Sequence, residues 1–472
     1  MSFFIRKKVY LEKIQLGMVI FLVQNEDTRK VSKCVIISRV IIMKEKLDID
    51  FIKKLSALKR EPKWMLDFRM KSFNKFLELE NPLFGPKLDI NFDNICFYKS
   101  KEDKMSDDWN EVSHEVKDTF KDLGVIHAEE KYLDGVTNQF ESEVVYHKVS
   151  TDKNIIFTST DEALQKHSEL FEKYFNNLVK YDENKYTALN GAVWSGGSFI
   201  YIPPFTKLDR PLQSYFRIES ESLGQFERTI IIVDEGAELN YIEGCTAPTY
   251  SESSLHAGVV EIYVGKNAKC RYTTIQNWST DVYNLVTKRA IVEDSGFMEW
   301  IDGNIGSGVT MKYPSCILQG SNSVGNSISI AYAKEGQFLD AGAKMIHLGK
   351  NSKSNIVSKS IASGGGVSNY RGTVKISKKA LNSIAKIKCD TIILDSHSKS
   401  DTFPTNILEN KSSTLEHEAT VSKVSAEKLF YLTSKGLSEE RAIELLVMGF
   451  INDFKKELPM EYAVELNRLL KN

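Results

Sequence analysis

The side chains best suited to chemistry are few and far apart in the chain. "TLEHEATVSK" (414–423) carries Glu416, His417 and Glu418 in a row, and "KIKCDTIIL" (386–394) carries Cys389. A thiolate is a soft ligand suited to iron–sulfur or zinc chemistry, and imidazole and carboxylate accept iron as well. One cysteine with a histidine and carboxylates falls short of the four thiolates a permanent cluster usually takes. It suits a site that holds a cluster briefly and releases it. The competing reading is a solvated charged turn next to a packed thiol. On a strand, Glu416 and Glu418 share one face and His417 points to the other, so all three reach one metal only if the strand bends. A second thiol, Cys245 in "NYIEGCTAP", lies between Gly244 and Pro248. That setting predicts a turn within reach of a reagent, or else a cysteine packed at a strand end. Gln276, Trp278 and Lys288 are polar or bulky residues on predicted strands, with ordinary sheet-face positions as the alternative.

Other chemistries have no signature. "GKNAK" (265–269) and "GKNSK" (349–353) lack the spacing of a phosphate loop, and "GNIGSG" (303–308) has its glycines in the wrong order for a dinucleotide fingerprint. No Gly-x-Ser-x-Gly elbow precedes a helix. No nucleotide site is therefore expected on this chain, and any ATP chemistry falls to a partner. The 62 basic and 63 acidic residues leave a net charge of −1, which gives no electrostatic case for nucleic acid or an acidic membrane. Six cysteines, at 34, 96, 245, 270, 316 and 389, show no C-x-x-C pair and suit a reducing compartment. The longest apolar run, 14–23, is too short to span a membrane and reads as a core strand, with no cleavage site after it. The 49 lysines against 13 arginines suggest AT-rich codons, such as those of an organellar genome.

Three regions position these residues. Residues 1–185 read as a mixed α/β unit. Apolar residues recur at helical spacing over 50–80, divided at Pro62, and again over 161–179. Between them, 81–120 is polar, and "SKEDKMSDDWNE" (100–111) reads as a mobile surface loop. Over 186–422 short β-rich runs replace the helical patterns, with turn clusters near Gly320, Gly336, Asn351, Gly366 and Ala380. This near-regular spacing predicts a β-solenoid with two faces per coil of about 30 residues, against a β-sandwich as the alternative. The tail, 423–472, reads as helices entered at Ser425 and Ser438, with Gly436 closing the first and Pro459 opening a last one. So short a set must dock on the β core or on another chain.

The motifs "YIEGCTAP", "YTTIQNW", "KMIHLGKNSKS", "YRGTVKI", "LEHEATVSK" and "LFYLTSKGLSEERAIELLVMGF", in this order, closely resemble the SufB scaffold family of the SUF iron–sulfur cluster assembly system. The resemblance runs from about residue 50 to the C-terminus, with gaps over 85–115. The Lys-rich style resembles plastid- or apicoplast-encoded members, which implies a stromal location, with a bacterial cytoplasm as the alternative. The family implies a mainly β fold: a right-handed parallel β-helix core, a mixed or helical N-terminal domain and a helical C-terminal segment. It implies a scaffold, not an enzyme, that holds a transient iron–sulfur cluster. Its partners would be the ABC-type ATPase SufC on the tail, the paralogue SufD or a second SufB alongside, a cysteine desulfurase or sulfur carrier, and recipient apoproteins. By position, Cys245 matches the sulfur acceptor and Cys389 a cluster ligand, with Glu416, His417 and Glu418 beside it. Arg217, Gln276, Trp278 and Lys288 match residues of the path between the thiols. Glu219 stands where relatives often carry a neutral residue, and the polar 396–410 segment, with His397, diverges. A SufD-like structural subunit and a β-solenoid enzyme acting on carbohydrate are the rival readings.

Overall fold

A computed structural model describes residues 9–14, 18–23, 41–43, 45–102, 105–122, 126, 132–151, 153–250 and 253–457. Cys34 and the helix expected from Pro459 lie outside the described residues. The strand expected within 14–23 is present as Met18–Val23, paired antiparallel with Val9–Ile14.

Most of the chain winds into a β-solenoid of about 8 turns with helices at both ends. Two parallel sheets face each other across its interior. The ten-stranded sheet includes Leu212–Arg217, Glu238–Thr246, Lys269–Trp278, Phe297–Gly306, Val324–Ala333, Lys353–Ala362, Ile384–Ile393 and Thr414–Lys423. The twelve-stranded sheet includes Ser198–Ile202, Arg228–Val233, Val259–Val264, Val282–Val292, Phe338–His347, Val367–Ile376 and Thr402–Leu408. One ladder reads Tyr241, Tyr272, Trp300, Ser327, Ile356, Ile387 and His417, so each coil takes about 30 residues, the predicted repeat. The sheet begins earlier than residue 186, because Gly135–Phe140 pairs with Leu212–Arg217.

Sequence chemistry explains the coil. Strand residues alternate, and the inward ones form one dry core that runs from Leu239, Tyr241 and Cys270 through Met298 and Trp300 to Ile387 and Cys389. Successive corners must reverse the chain in a few residues, and one residue at each takes a left-handed backbone. These are Asn267, Ser295, Asn322, Asn351 and Asn382 along one corner. Asparagine tolerates that conformation better than most residues with a Cβ. The turns predicted near Gly320, Gly336, Asn351, Gly366 and Ala380 all fall between strands.

The helices fill outer surfaces. Ile49–Leu58 and Lys63–Glu78 are separated at Pro62 as expected, and Asp48 caps the first by accepting from Phe51 N at 2.8 Å. The 161–179 pattern gives two short helices, Thr160–Lys166 and Ser168–Tyr174, broken at His167. Lys185–Val193 is a helix buried all round; without a polar face it shows no amphipathic period, so the sequence reading placed β structure there. The polar 81–120 segment is better anchored than its composition suggests. Trp109 stacks on Tyr146 with centroids 4.0 Å apart, and His114–Asp122 is a helix.

One core histidine links the solenoid to pH. His347 lies fully buried at a corner, bonded to Ser352 Oγ at 2.8 Å and Ser354 Oγ at 2.9 Å, with no carboxylate facing it. Burial pushes its pKa down from 6.5 to about 4. The unfolded chain therefore binds the proton more readily. This contribution to stability is complete above the unfolded value and is lost as the pH falls toward 4. Between pH 7 and 4.5 the His347→Gln variant is expected to lose about 2–3 kcal/mol less than the parent in urea unfolding. Equal losses would show that His347 does not titrate this way.

Candidate functional site

The solenoid ends openly. Thr414–Lys423 pairs with Ile384–Ile393 and Thr402–Leu408 with Val367–Ile376, and both last strands are largely exposed. Alternation sends Leu415 and His417 inward, and Glu416 and Glu418 outward. His417 Nε2 comes to 4.0 Å from Cys389 Sγ on the neighbouring strand, while its Nδ1 lies 3.2 Å from Asn406 Nδ2 and 3.3 Å from Oδ1. Glu416 and Glu418 stand exposed on the far face, 3.2 Å from Lys386 Nζ and 3.8 Å from Lys388 Nζ. The structure therefore brings together two of the four expected ligands. The strand stays regular, without the bend that would turn the carboxylates toward the thiol. Among the described residues no three His, Cys, Asp or Glu side chains converge as a metal site.

Burial pushes the Cys389 thiol up to about 12, with Asp390 adding to the shift, and partial burial lowers the pKa of His417. A protonated thiol beside a neutral imidazole is a resting pair. A metal held by this pair would require the thiol to give up its proton to solvent or a more distant base, because the imidazole lone pair facing the thiol would itself be the second donor.

Cys245 is not in a turn. It ends the strand Glu238–Thr246 at 1% exposure, in an apolar cluster with Phe216, Leu223, Trp278 and Cys96. Burial, then the carboxylates of Glu243 and Glu227, raise its pKa well above the ordinary thiol value.

Between the two thiols the core turns polar. Lys288 Nζ lies 2.9 Å from Glu243 Oε1 and 2.9 Å from Thr274 Oγ1. Lys312 Nζ lies 2.9 Å from Asp302 Oδ1 and 3.2 Å from Gln276 Oε1. Asn284 Nδ2 donates to the same Gln276 oxygen at 2.8 Å, and the Asn284 side chain meets His256, which pairs with Glu227 at 2.8 Å. Burial alone would lower the Lys288 pKa, but Glu243 and Asp302 raise it. Burial and the neighbouring Lys288 lower that of Lys312. One ladder then continues through Ser329 and Ser358 to Cys389, beside the buried Tyr370 hydroxyl. Several buried atoms on this route have no hydrogen-bond partner among the described residues: Gln276 Nε2, Asp302 Oδ2 and Asn304 Oδ1. Five strand steps, about 24 Å, separate the two thiols.

Of the expected path residues, Gln276, Trp278 and Lys288 face this interior. Arg217 does not; it lies on the outer side, bonded to Glu219 at 2.6 Å and Thr246 at 3.1 Å. The unusual Glu219 thus has a partner in Arg217. Sequence reasoning missed Glu227, Glu243, His256, Asp302, Lys312, Tyr370 and Asn406. A signal existed for Asp302 alone: "FMEWIDGN" places it in alternation with Met298 and Trp300, whereas "VTMK" puts Lys312 on the same side as Thr310, opposite Val309 and Met311. His397 is exposed, its N–H bonded to Asp395, with no part in the Cys389 pair.

Comparison with known proteins matches residues 216–450 to the family described as SUF system FeS cluster assembly, SufBD core domain, and 102–214 to the SufBD protein N-terminal region. The chain belongs to the SufBD family. It is 57% identical over 426 residues to an iron–sulfur cluster assembly SufBD family protein of Staphylococcus aureus (strain MRSA252), covering 89% of this chain and 92% of that protein. A Staphylococcus saprophyticus protein of the same description is 56% identical over the same length. Membership supports a role in the SUF system of iron–sulfur cluster assembly.

In this SufBD protein the helical tail docks on the outer face of the ten-stranded sheet. Val447, Ile451 and Phe454 pack on Ile275, Ile301, Ile305 and Ile330, and Lys359 Nζ donates to Phe450 O at 2.6 Å. Ser425 and Ser438 cap helices Ala426–Ser434 and Glu439–Phe450, and Gly436 takes φ +92° after the first, all as expected. Phe430 and Tyr431 remain 74% and 61% exposed. The site's closure is testable. Cys96, Cys245, Cys270, Cys316 and Cys389 are all buried. Site-resolved mass spectrometry after N-ethylmaleimide treatment at pH 7 is expected to show each labelled at least about tenfold more slowly in the folded chain than in urea. Fast native labelling of Cys245 would contradict its sealed position.

Proposed function

We propose that this protein is the SufB-type scaffold of its system, on which a nascent iron–sulfur cluster is assembled and then released to apoproteins. The observation that carries this reading is the polar column inside an otherwise apolar coil, leading from Cys245 to the Cys389–His417 pair at the open end. Buried polar groups without partners are costly, so a fold that retains a row of them supports a passing polar guest. Cys245 accepts sulfur from a cysteine desulfurase or its carrier. Lys288 and Lys312 offer cations, and Gln276 and Tyr370 offer donors, to an anionic sulfur species. Cys389 and His417 hold the iron end. Glu416 and Glu418, exposed and loosely paired, serve the outer rim, where a SufD paralogue or second SufB-type copy would adjoin the bare strands. The exposed Phe430 and Tyr431 form the docking surface for an ABC-type ATPase, whose hydrolysis shifts the tail and opens the coil. The presence of both thiols favours this over a SufD-like structural role. Anaerobic reconstitution of the complex with iron and sulfide, read by absorption and Mössbauer spectra, tests it. Cluster content unchanged in Cys389→Ser would overturn it.

A further inference from the structure

A second cavity lies outside the coil and plays no part in the sulfur route. It has a volume of about 530 Å³, between the chain that follows helix Lys63–Glu78, the start of helix Lys185–Val193 and the outer face of the twelve-stranded sheet. That is within the range of small-molecule sites. Leu285 and Met311 line it and are themselves buried. Tyr186, Tyr313 and Phe84 add aromatic walls. The tyrosine hydroxyls are committed elsewhere: Tyr186 donates to Asn81 Oδ1 at 2.8 Å and Tyr313 to Asp340 Oδ1 at 2.7 Å. What they offer the cavity is ring carbon. Phe84 is fixed against Tyr313, with centroids 5.9 Å apart, and under Arg371 at 5.0 Å.

One part of the lining is polar. Arg289, Ser315 and Lys344 occupy matching positions on three successive coils and share the outer face. Arg289 is neutralised by two bonds to Glu183, at 2.6 and 2.7 Å. Lys344 is exposed and has no carboxylate within 4 Å among the described residues; Glu183 acts on it only at longer range, and Glu80, the other lining carboxylate, is exposed to solvent. Between the two cations Ser315 is 97% buried, and its Oγ has no hydrogen-bond partner. A mainly apolar cavity with aromatic walls, an uncommitted ammonium and an orphaned hydroxyl is complementary to one kind of molecule.

We propose that this cavity binds a flat aromatic anion, its ring against Met311, Leu285 and Tyr313 and its carboxylate or phosphate on Lys344 and Ser315. The site does not depend on the scaffold reading. It abuts strand Val282–Val292, whose inner face carries Lys288, so a bound ligand would rest on the wall of the polar column.

Isothermal titration of the full chain with 2-naphthoate tests the proposal, with 2-naphthalenemethanol and acetate as the body-only and acid-only arms. One saturable naphthoate per chain is expected, at least about tenfold tighter than either arm. Lys344→Glu weakens it by about tenfold or more, Lys344→Arg restores it, and Ser315→Ala weakens it less. Amide exchange slows at 79–84 in the complex. Equal affinity for acid and alcohol, no saturable naphthoate binding, or an unchanged Kd in both Lys344→Glu and Lys344→Gln would overturn it.

Discussion

Replacing Lys288 by Met is expected to cost about 3–5 kcal/mol of stability, because buried Glu243 loses its directly bonded cation and keeps only the longer-range charge of Lys312. Both side chains are almost wholly inaccessible to solvent. The Tyr272 hydroxyl also donates to Glu243, which partly holds it but cannot neutralise it. Removing both charges in Lys288→Met with Glu243→Leu leaves no orphan. Buried pairs replaced by apolar groups of similar volume are often neutral or better. The double variant is therefore expected to recover most of the lost stability in urea unfolding. It is not expected to recover cluster formation, since a passing sulfur anion then meets methyl groups where it met an ammonium. Recovery of both would show that the buried pair is purely structural. If the single variant lost under about 1 kcal/mol, Glu243 would have to be neutral or hydrated in the folded chain.

The second large effect concerns the open end. Cys389→Ser removes the soft donor that lies beside His417 and is expected to abolish retained iron and sulfide after anaerobic reconstitution. His417→Ala removes the imidazole that faces the thiol and should lose most of it. Glu418→Gln should lose less than either, because its carboxylate lies on the far side of the strand against Lys388. Metal analysis of the three variants side by side gives the order. A Glu418→Gln loss equal to that of Cys389→Ser would mean that the last strand rotates when iron arrives.

Much of the architecture was legible in the chain. The spacing of Gly, Asn and Ser clusters marks the corners because only a few residue types accept the left-handed backbone found at Asn322, Asn351 and Asn382. Ser425, Ser438 and Gly436 announced the tail helices through hydrogen bonds local in sequence. The helix Lys185–Val193 was not legible, since burial on every side erases the periodicity that reveals a helix. The site was legible in part. Alternation alone separates His417 from its flanking glutamates, and that separation is what the structure shows. The pairing of His417 with Cys389 depends on coil register over 28 residues, which no local pattern encodes. For Cys245 the sequence left a turn and a packed strand end open; pairing of Glu238–Thr246 on both sides carries the strand through Gly244 and decides for the second. Lys312, on the same side of its strand as Thr310, looks like a surface charge until the facing sheet is known.

The two ends of the coil differ, and the difference limits polymerisation. At the early end the antiparallel strand Glu143–Val149 lies beneath Trp109 and helix His114–Asp122, and the other sheet ends in the short antiparallel strand Ile156–Ser159. At the late end, among the described residues, no strand pairs with the outer edge of Thr402–Leu408 or of Thr414–Lys423. A copy that paired through its late end would present outward the early end, where Trp109 and helix His114–Asp122 cover the last strand of one sheet, and this disfavours the fibre that a long uncapped stack of strands would otherwise seed.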